Sequence, residues 1–345
     1  MKKDHITRKL ATIAVIGAAC LVASLSVLAL IAEREDRFTE AQKEVSSSWG
    51  KEQNIIGPVL KIEGILNGSQ GNRGVLYILP DAAHFESHLV PEKLSRGIFT
   101  SVVYNSTTNA QGAFSAVSIT DAFSEFATVE RAELAVLISD TRGIEKQLSL
   151  GWGEGELAFE PGSGLSLLEG SGLHASIPLH SLRQVRSLLE DESLKFGFTV
   201  PMKGSGALSF APVGKESVIA IASPWDSPKF VGAFLPAERT IDDSGFRAEW
   251  RISSFGKSYP QSWKSNEAYF DQVLASASGV ALYDHGDFYT KLYRSTRYAI
   301  LFITVTFLAF FLFETLGKIR IHPFQYLLVG AALALFYLLL LSFSE

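Results

Sequence analysis

Cysteine is almost absent from this chain. Cys20 stands alone, inside an apolar stretch, which excludes an intrachain disulfide and a cysteine-based metal site. The fold must therefore hold by packing. Basic charge is also scarce: 31 Lys and Arg against 36 Asp and Glu leave a net charge of −5, which argues against a nucleic-acid partner. No nucleophile elbow and no zinc signature occurs. Gly151-Trp152-Gly153-Glu154-Gly155 and Gly162-Ser163-Gly164 lack the lysine and following helix of a phosphate cradle, so they read as hairpin turns. No internal repeat and no low-complexity linker stands out.

What the chain does have is an uneven distribution of apolar residues. Hydrophobic residues make up 47% and charged residues 19%, with a mean hydropathy of +0.18. That average conceals two populations, because the apolar excess lies at the ends. Residues 1–10 carry Lys2, Lys3, Arg8 and Lys9 against Asp4, and Ala11 to Ala32 follow without a charge. A helix needs about 20 apolar residues to cross a bilayer, and the basic flank predicts a cytoplasmic N-terminus for a span over 11–32. Two competing readings fit less well. A cleaved signal peptide, with Val27-Leu28-Ala29 as its site, has a shorter apolar core of about 7–15 residues. A lipoprotein signal at Gly17-Ala18-Ala19-Cys20 has glycine where a branched aliphatic residue belongs.

Two further membrane-length runs follow, at 298–316 and 324–343. The loop between them, 317–323, contains Lys318 and Arg320 and is expected in the cytoplasm, which returns residues 344–345 to the outer side. Glu314 is the acidic residue of the second span. An ionisable group inside a membrane helix is a functional candidate, although an i, i+4 ion pair with Lys318 accounts for it. Thr304, Thr306, Gly330 and Ala331 offer positions for close helix packing.

Between the anchors, residues 33–297 read as a soluble, mainly-β periplasmic domain, long enough for one large core or two smaller ones. Strands are expected over 74–80, 97–105, 129–139, 194–201, 207–212, 217–222 and 246–252, punctuated by Gly, Asn, Asp and Pro. No helix-then-strand rhythm appears, so the fold class is a membrane protein with an antiparallel, sandwich-like β domain and three transmembrane α-helices. Helices are expected over 41–48, extending the first anchor, over 179–190, and within 261–277.

Candidates for chemistry are few. His84, Glu86 and His88 would share one face of a strand, a possible ligand set that lacks a fourth group. Asp140 and Arg142 beside Gly143 form either a turn held by an ion pair or a carboxylate-binding corner. The aromatic segments around Trp225 and Phe230 to Pro236 suit packing on the core better than a partner. A hydrolase or carbohydrate-modifying site would need Asp140 close to Glu160 or Asp226. A transporter would have little beyond Glu314 to work with.

Several stretches resemble one family in order and spacing. They are Trp49-Gly50 with Gln53 and Ile56-Gly57-Pro58; 139–144; 160–165; 223–232, including Trp225; Phe234-Leu235-Pro236 with Arg239; and 245–250, ending at Trp250. The densest likeness runs over 297–345, with Glu314, His322-Pro323 and Gln325-Tyr326. The chain is thus similar to the CreD family of Gram-negative inner-membrane proteins. That resemblance implies a role in envelope integrity and colicin tolerance, with expression under a sensor-kinase system. It carries no catalytic residue, cofactor or metal. The partners it implies are the lipid bilayer and envelope proteins or cell-wall components, with self-association as a further option. Family members continue into more membrane helices, so the chain is expected to be a short form or a shortened product.

Overall fold

A computed structural model of the chain describes residues 2–68, 71–97, 99–165, 172–185, 193–264, 268–282, 287–317 and 321–343. Seven α-helices are found among them. They are α1 (Lys2–Trp49), α2 (Ala116–Ser124), α3 (Leu179–Val185), α4 (Ala268–Ala275), α5 (Asp287–Arg297), α6 (Ala299–Gly317) and α7 (Pro323–Phe343). The strands are β1 (Gln53–Leu66), β2 (Arg73–Ile78), β3 (Ala82–Arg96), β4 (Phe99–Ser115), β5 (Phe126–Ile138), β6 (Ser149–Trp152), β7 (Gly155–Ala158), β8 (Glu160–Pro161), β9 (Leu173–Ser176), β10 (Ser193–Ser205), β11 (Ala207–Phe210), β12 (Glu216–Ser223), β13 (Lys229–Gly232), β14 (Glu238–Asp242), β15 (Gly245–Ser253), β16 (Ser262–Lys264) and β17 (Ser278–Ala281).

Two compact units divide the chain. One comprises residues 1–43, 95–99 and 284–345; the other comprises 44–94 and 100–283. Three helical stretches, in the first unit but for residues 44–49, are long and apolar enough to cross a membrane: Ala11–Trp49, Leu292–Gly317 and Pro323–Leu340. Several of their serine and threonine hydroxyls are satisfied within the helices, as a hydrocarbon environment favours, whereas the buried Thr296 and Tyr326 hydroxyls find no partner among the described residues. Ser24 donates to the Cys20 carbonyl at 3.0 Å, and Thr304 and Thr306 donate to Ile300 and Phe302 at 2.7 Å. The close approach comes at Gly330, where an added methyl group would overlap the Cys20 sulfur and crowd Phe307 at 3.2 Å. Cys20, Ile303, Phe307 and Tyr326 bury one cluster there, and Val27, Ile31, Leu292, Ala299 and Tyr337 bury another.

The second unit is a two-layer β structure. One sheet orders β13-β17-β11-β1-β5-β9-β8, with β2 joining β1 and β16 alongside. The other orders β14-β15-β12-β3-β4-β10-β6-β7. Most neighbours are antiparallel, as expected, but β1 pairs with β11 and β3 with β12 in parallel. The layers meet through a single apolar cluster. Phe85 on β3 packs on Phe210 of β11 at 5.3 Å, and the Tyr104 hydroxyl of β4 donates to the Ala207 carbonyl at 2.7 Å.

Pairing along β1 is broken at Gly57-Pro58, where the register against β5 shifts between Ile56 and Val59. The peptide bond there is cis and Gly57 has φ 128°. A Cβ at residue 57 would lie 2.8 Å from the Ala135 carbonyl oxygen, and Pro58 has no N–H to offer the ladder. Glycine and proline thus sit where a bulge tolerates them.

A helix does lie within 261–277, and the one expected over 179–190 begins where placed. The 261–277 stretch begins as strand β16, paired with β2, and only Ala268–Ala275 is helical. Within 179–190 the helix covers Leu179–Val185, and the remainder lies outside the described residues. The extension over 41–48 is the end of one continuous helix, α1.

Candidate functional site

β5 ends at Ile138, and the chain turns at once through Asp140, Arg142 and Gly143. The Asp140 carboxylate is 6% exposed and meets the Arg142 guanidinium at 2.5 Å. Arg142 Nε also donates to both carboxylate oxygens, at 2.9 and 3.1 Å. The backbone N–H groups of Arg142 and Lys51 donate to the same group, each at 3.1 Å. Four donors on one carboxylate favour its charged form, and Arg142 above all holds the Asp140 pKa down at about 2. This aspartate is a fixed anion across the physiological range.

Arg142 uses its other arm on the helix. Its Nη1 donates to the Ser47 carbonyl at 2.5 Å, one of the carbonyls left without a partner in the last turn of α1. Trp49, in the same turn, donates from Nε1 to the Tyr104 carbonyl at 3.3 Å and lies under the Lys203 ammonium at 5.4 Å. Gln53 completes the arrangement, its Nε2 donating to the carbonyls of Asp140 and Lys203 while its Oε1 accepts from the Asp140 N–H. Glu145 pairs with Lys203 at 2.5 Å, and that ammonium lowers its pKa. Gly143 is needed because a Cβ there would stand 2.5 Å from the Lys203 nitrogen.

Trp49 and the Asp140-Arg142-Gly143 turn, far apart in sequence, therefore form one clasp on the end of α1. Lys203 and Tyr104 were not foreseen as members: Tyr104 contributes a backbone carbonyl, which leaves no pattern in the side chains, and Lys203 is a partly exposed lysine on β10 whose ammonium finds its partners only in the fold. Gln53 had a signal, as one of two amides at the start of an otherwise apolar strand.

The remaining candidates fall into other groups. Trp250 is fully buried, donates to the Phe234 carbonyl at 3.0 Å and packs edge-on against Phe230 at 5.8 Å. Arg239 covers the other side of Phe230 at 5.8 Å, and Pro236 follows in the adjoining segment. Trp225 bonds to its own turn at Ser227, with Lys93 5.5 Å from its ring. The 160–165 stretch lies over Glu133, which is 3% exposed and bound by Arg131. Lys61 reaches both Glu133, at 3.6 Å, and the Gly164 carbonyl, at 2.9 Å.

In the helical unit, His322-Pro323-Phe324-Gln325 opens α7 as a reciprocal cap. Phe324 N–H donates to His322 Nδ1 at 3.3 Å, and His322 N–H donates to Gln325 Oε1 at 3.1 Å. Pro323 takes the first helical position, where no N–H is needed. Tyr326 is fully buried between Phe307 and Phe310. Glu314 lies in α6, and its expected partner Lys318 falls outside the described residues.

The carboxylates of the hydrolase reading do not converge. Asp140 is bound by Arg142 and Lys51, Glu160 lies beside His174 at 3.7 Å, and Asp226 sits in the Trp225 turn. His84, Glu86 and His88 do share the outward face of β3, as the alternation predicts. Among the described residues no three His, Cys, Asp or Glu groups gather around a metal-sized space.

Three membrane-length helices together with a large two-sheet β domain define a membrane protein with a β-rich module. Residues 5–345 match the family described as inner membrane protein CreD. The inner membrane protein CreD of Escherichia coli K12 is 31% identical over 335 residues, which cover 94% of this chain and 72% of that protein. The chain belongs to the CreD family. Among solved structures, an M1 zinc metallopeptidase from Deinococcus radiodurans overlaps half of the chain with 8% identity and a TM-score of 0.24. A likeness that low carries no argument.

Proposed function

We propose that this chain is a non-catalytic envelope-integrity protein of the inner membrane, whose β domain faces the periplasm and acts by binding. The observation that carries the reading is the clasp. The most polar motif of the domain is spent on holding the end of the membrane helix, with Asp140 kept ionised and enclosed. A carboxylate with a pKa near 2 is a poor general acid or base near neutral pH. The basic residues Lys2, Lys3, Arg8, Lys9, Lys318 and Arg320 support the orientation. The envelope role rests on the family resemblance.

Cys20 is the sole cysteine, so a Cys20→Ser background allows a single reporter at Phe255, which is 99% exposed. With Phe255→Cys in that background, a membrane-impermeant maleimide is expected to label intact spheroplasts. Labelling that appears only after lysis would reverse the orientation. In cells lacking the gene, the intact chain is expected to restore growth under detergent stress; equal growth with and without it removes the envelope role.

A further inference from the structure

The outward face of the second sheet holds a cleft of about 610 Å³, within the usual range of small-ligand sites, roughly 300–1,000 Å³. Its wall chemistry is unusual for a surface with so many charges elsewhere. His84 and Glu86 come from β3, Asn109 and Gln111 from β4, Thr199 from β10, and Gln147 from the segment leading into β6. The floor is bare where Gly197 of β10 stands opposite Gly151 of β6, so the backbone itself is open to a flat ligand.

Several of these groups are ready to bind. The Thr199 hydroxyl donates to Asn109 Oδ1 at 2.8 Å, which fixes the amide and leaves its NH₂ free to donate. The side chains of His84, Gln111 and Gln147 make no hydrogen bond among the described residues. Glu86 is only loosely met by Arg247, at 3.7 Å, with both side chains more than half exposed.

The same composition rules out other ligand classes. Among the described lining residues there is no lysine or arginine, and the nearby Arg247 faces the Glu86 carboxylate, so a phosphate or a polyanion would lack a counter-charge of its own. Apolar contact is limited to Ala110, Leu148 and Phe198, too little for an acyl chain. Paired amides, a carboxylate and an imidazole over a glycine floor are complementary to a neutral ligand rich in hydroxyl and acetamido groups. We propose that this cleft binds a neutral saccharide. Glu86 is the sole carboxylate among the described lining residues, and glycoside cleavage needs two, so the sugar is held and not cut. The proposal deepens the binding role above and, for its setting, rests on the domain facing the periplasm.

The test uses the full chain in nanodiscs, with four probes: a neutral N-acetylglucosamine tetramer, a neutral glucose tetramer, a tetra-alanine peptide and an inorganic polyphosphate. Saturable binding of at least one sugar by calorimetry is expected. Gln111→Ala and Gln147→Ala should each weaken it about tenfold, the effect of one lost hydrogen bond, at an unchanged melting temperature. Binding of neither sugar, equal or tighter binding of the peptide or the polyphosphate, or sugar binding indifferent to both substitutions overturns the proposal. The assay is independent of topology. Sugar binding together with maleimide labelling from the cytoplasm would therefore fault the orientation alone, whereas outside labelling without sugar binding would fault the cleft alone.

Discussion

Asp140 illustrates how much one enclosed charge can do for this domain. Its carboxylate has a folded-state pKa of about 2 against an ordinary 3.8. A depressed pKa means the unfolded chain takes up the proton first, so the pair stabilises the fold above about pH 4. That stability is lost as pH falls toward 2. For a fully enclosed group the shift amounts to about 2 kcal/mol, and the half-exposed Arg142 side chain brings the expected value nearer 1 kcal/mol. All five tryptophans, 49, 152, 225, 250 and 263, belong to the β unit, so their fluorescence follows this unit alone. Urea unfolding of the solubilised chain should show Asp140→Asn less stable than the parent at pH 7, with the gap shrunk to about a third at pH 2.5. A difference that is undiminished at low pH would mean the pair does not act through its charge.

At the scale of elements, α7 shows how a helix is started and seated by different residues. His322, Pro323 and Gln325 satisfy its first turn, while Gly330 lets it approach α1 at Cys20. Gly330→Ala puts a methyl group where the Cys20 sulfur now lies, so that side chain must move. Cys20 is 5% exposed, and in Gly330→Ala its alkylation by N-ethylmaleimide in mild detergent should speed up several-fold. An unchanged rate would show that the helices absorb the methyl group without parting. The membrane helices were legible in the sequence because lipid demands an unbroken apolar run. The strand over 246–252 was legible because apolar residues alternate there, and that over 129–139 because it closes in a run of aliphatic residues. β3 was not, and most of β4 was missed, for a physical reason: their buried rows hold Ser87, Ser106 and Thr108. The Ser87 and Thr108 hydroxyls are paired with each other at 2.8 Å. Small hydroxyls that satisfy one another inside a sandwich read, in one dimension, as a polar loop. The clasp was half legible: Asp140 and Arg142 stood out as a pair, but the Ser47 carbonyl that Arg142 reaches left no mark in the sequence.

For the molecule as a whole, the question is where the soluble module begins. A boundary drawn from hydropathy would end the anchor at Ala32, yet the β unit starts at residue 44, inside α1. The reason is chemical. Ser47 and Trp49 are bound to Arg142, Tyr104 and Lys203, all of which lie on the sheets or their connecting turn. The apolar core joining the two layers consists of residues between Ile55 and Leu282, so this unit has what it needs to fold without the membrane helices. A fragment of residues 44–283 is expected to be soluble, rich in β structure by circular dichroism, and to unfold in one cooperative transition. One beginning at Gln53 keeps the whole core but strips the clasp of its helix, leaving Arg142 Nη1 and the Tyr104 carbonyl without their partners. Losing about 1–2 kcal/mol of hydrogen bonding and packing should lower its Tm by roughly 2–8 °C for a unit of this size. Equal melting temperatures for the two fragments would reduce the clasp to an incidental contact. An insoluble 44–283 fragment would mean that the β unit depends on its membrane helices for folding.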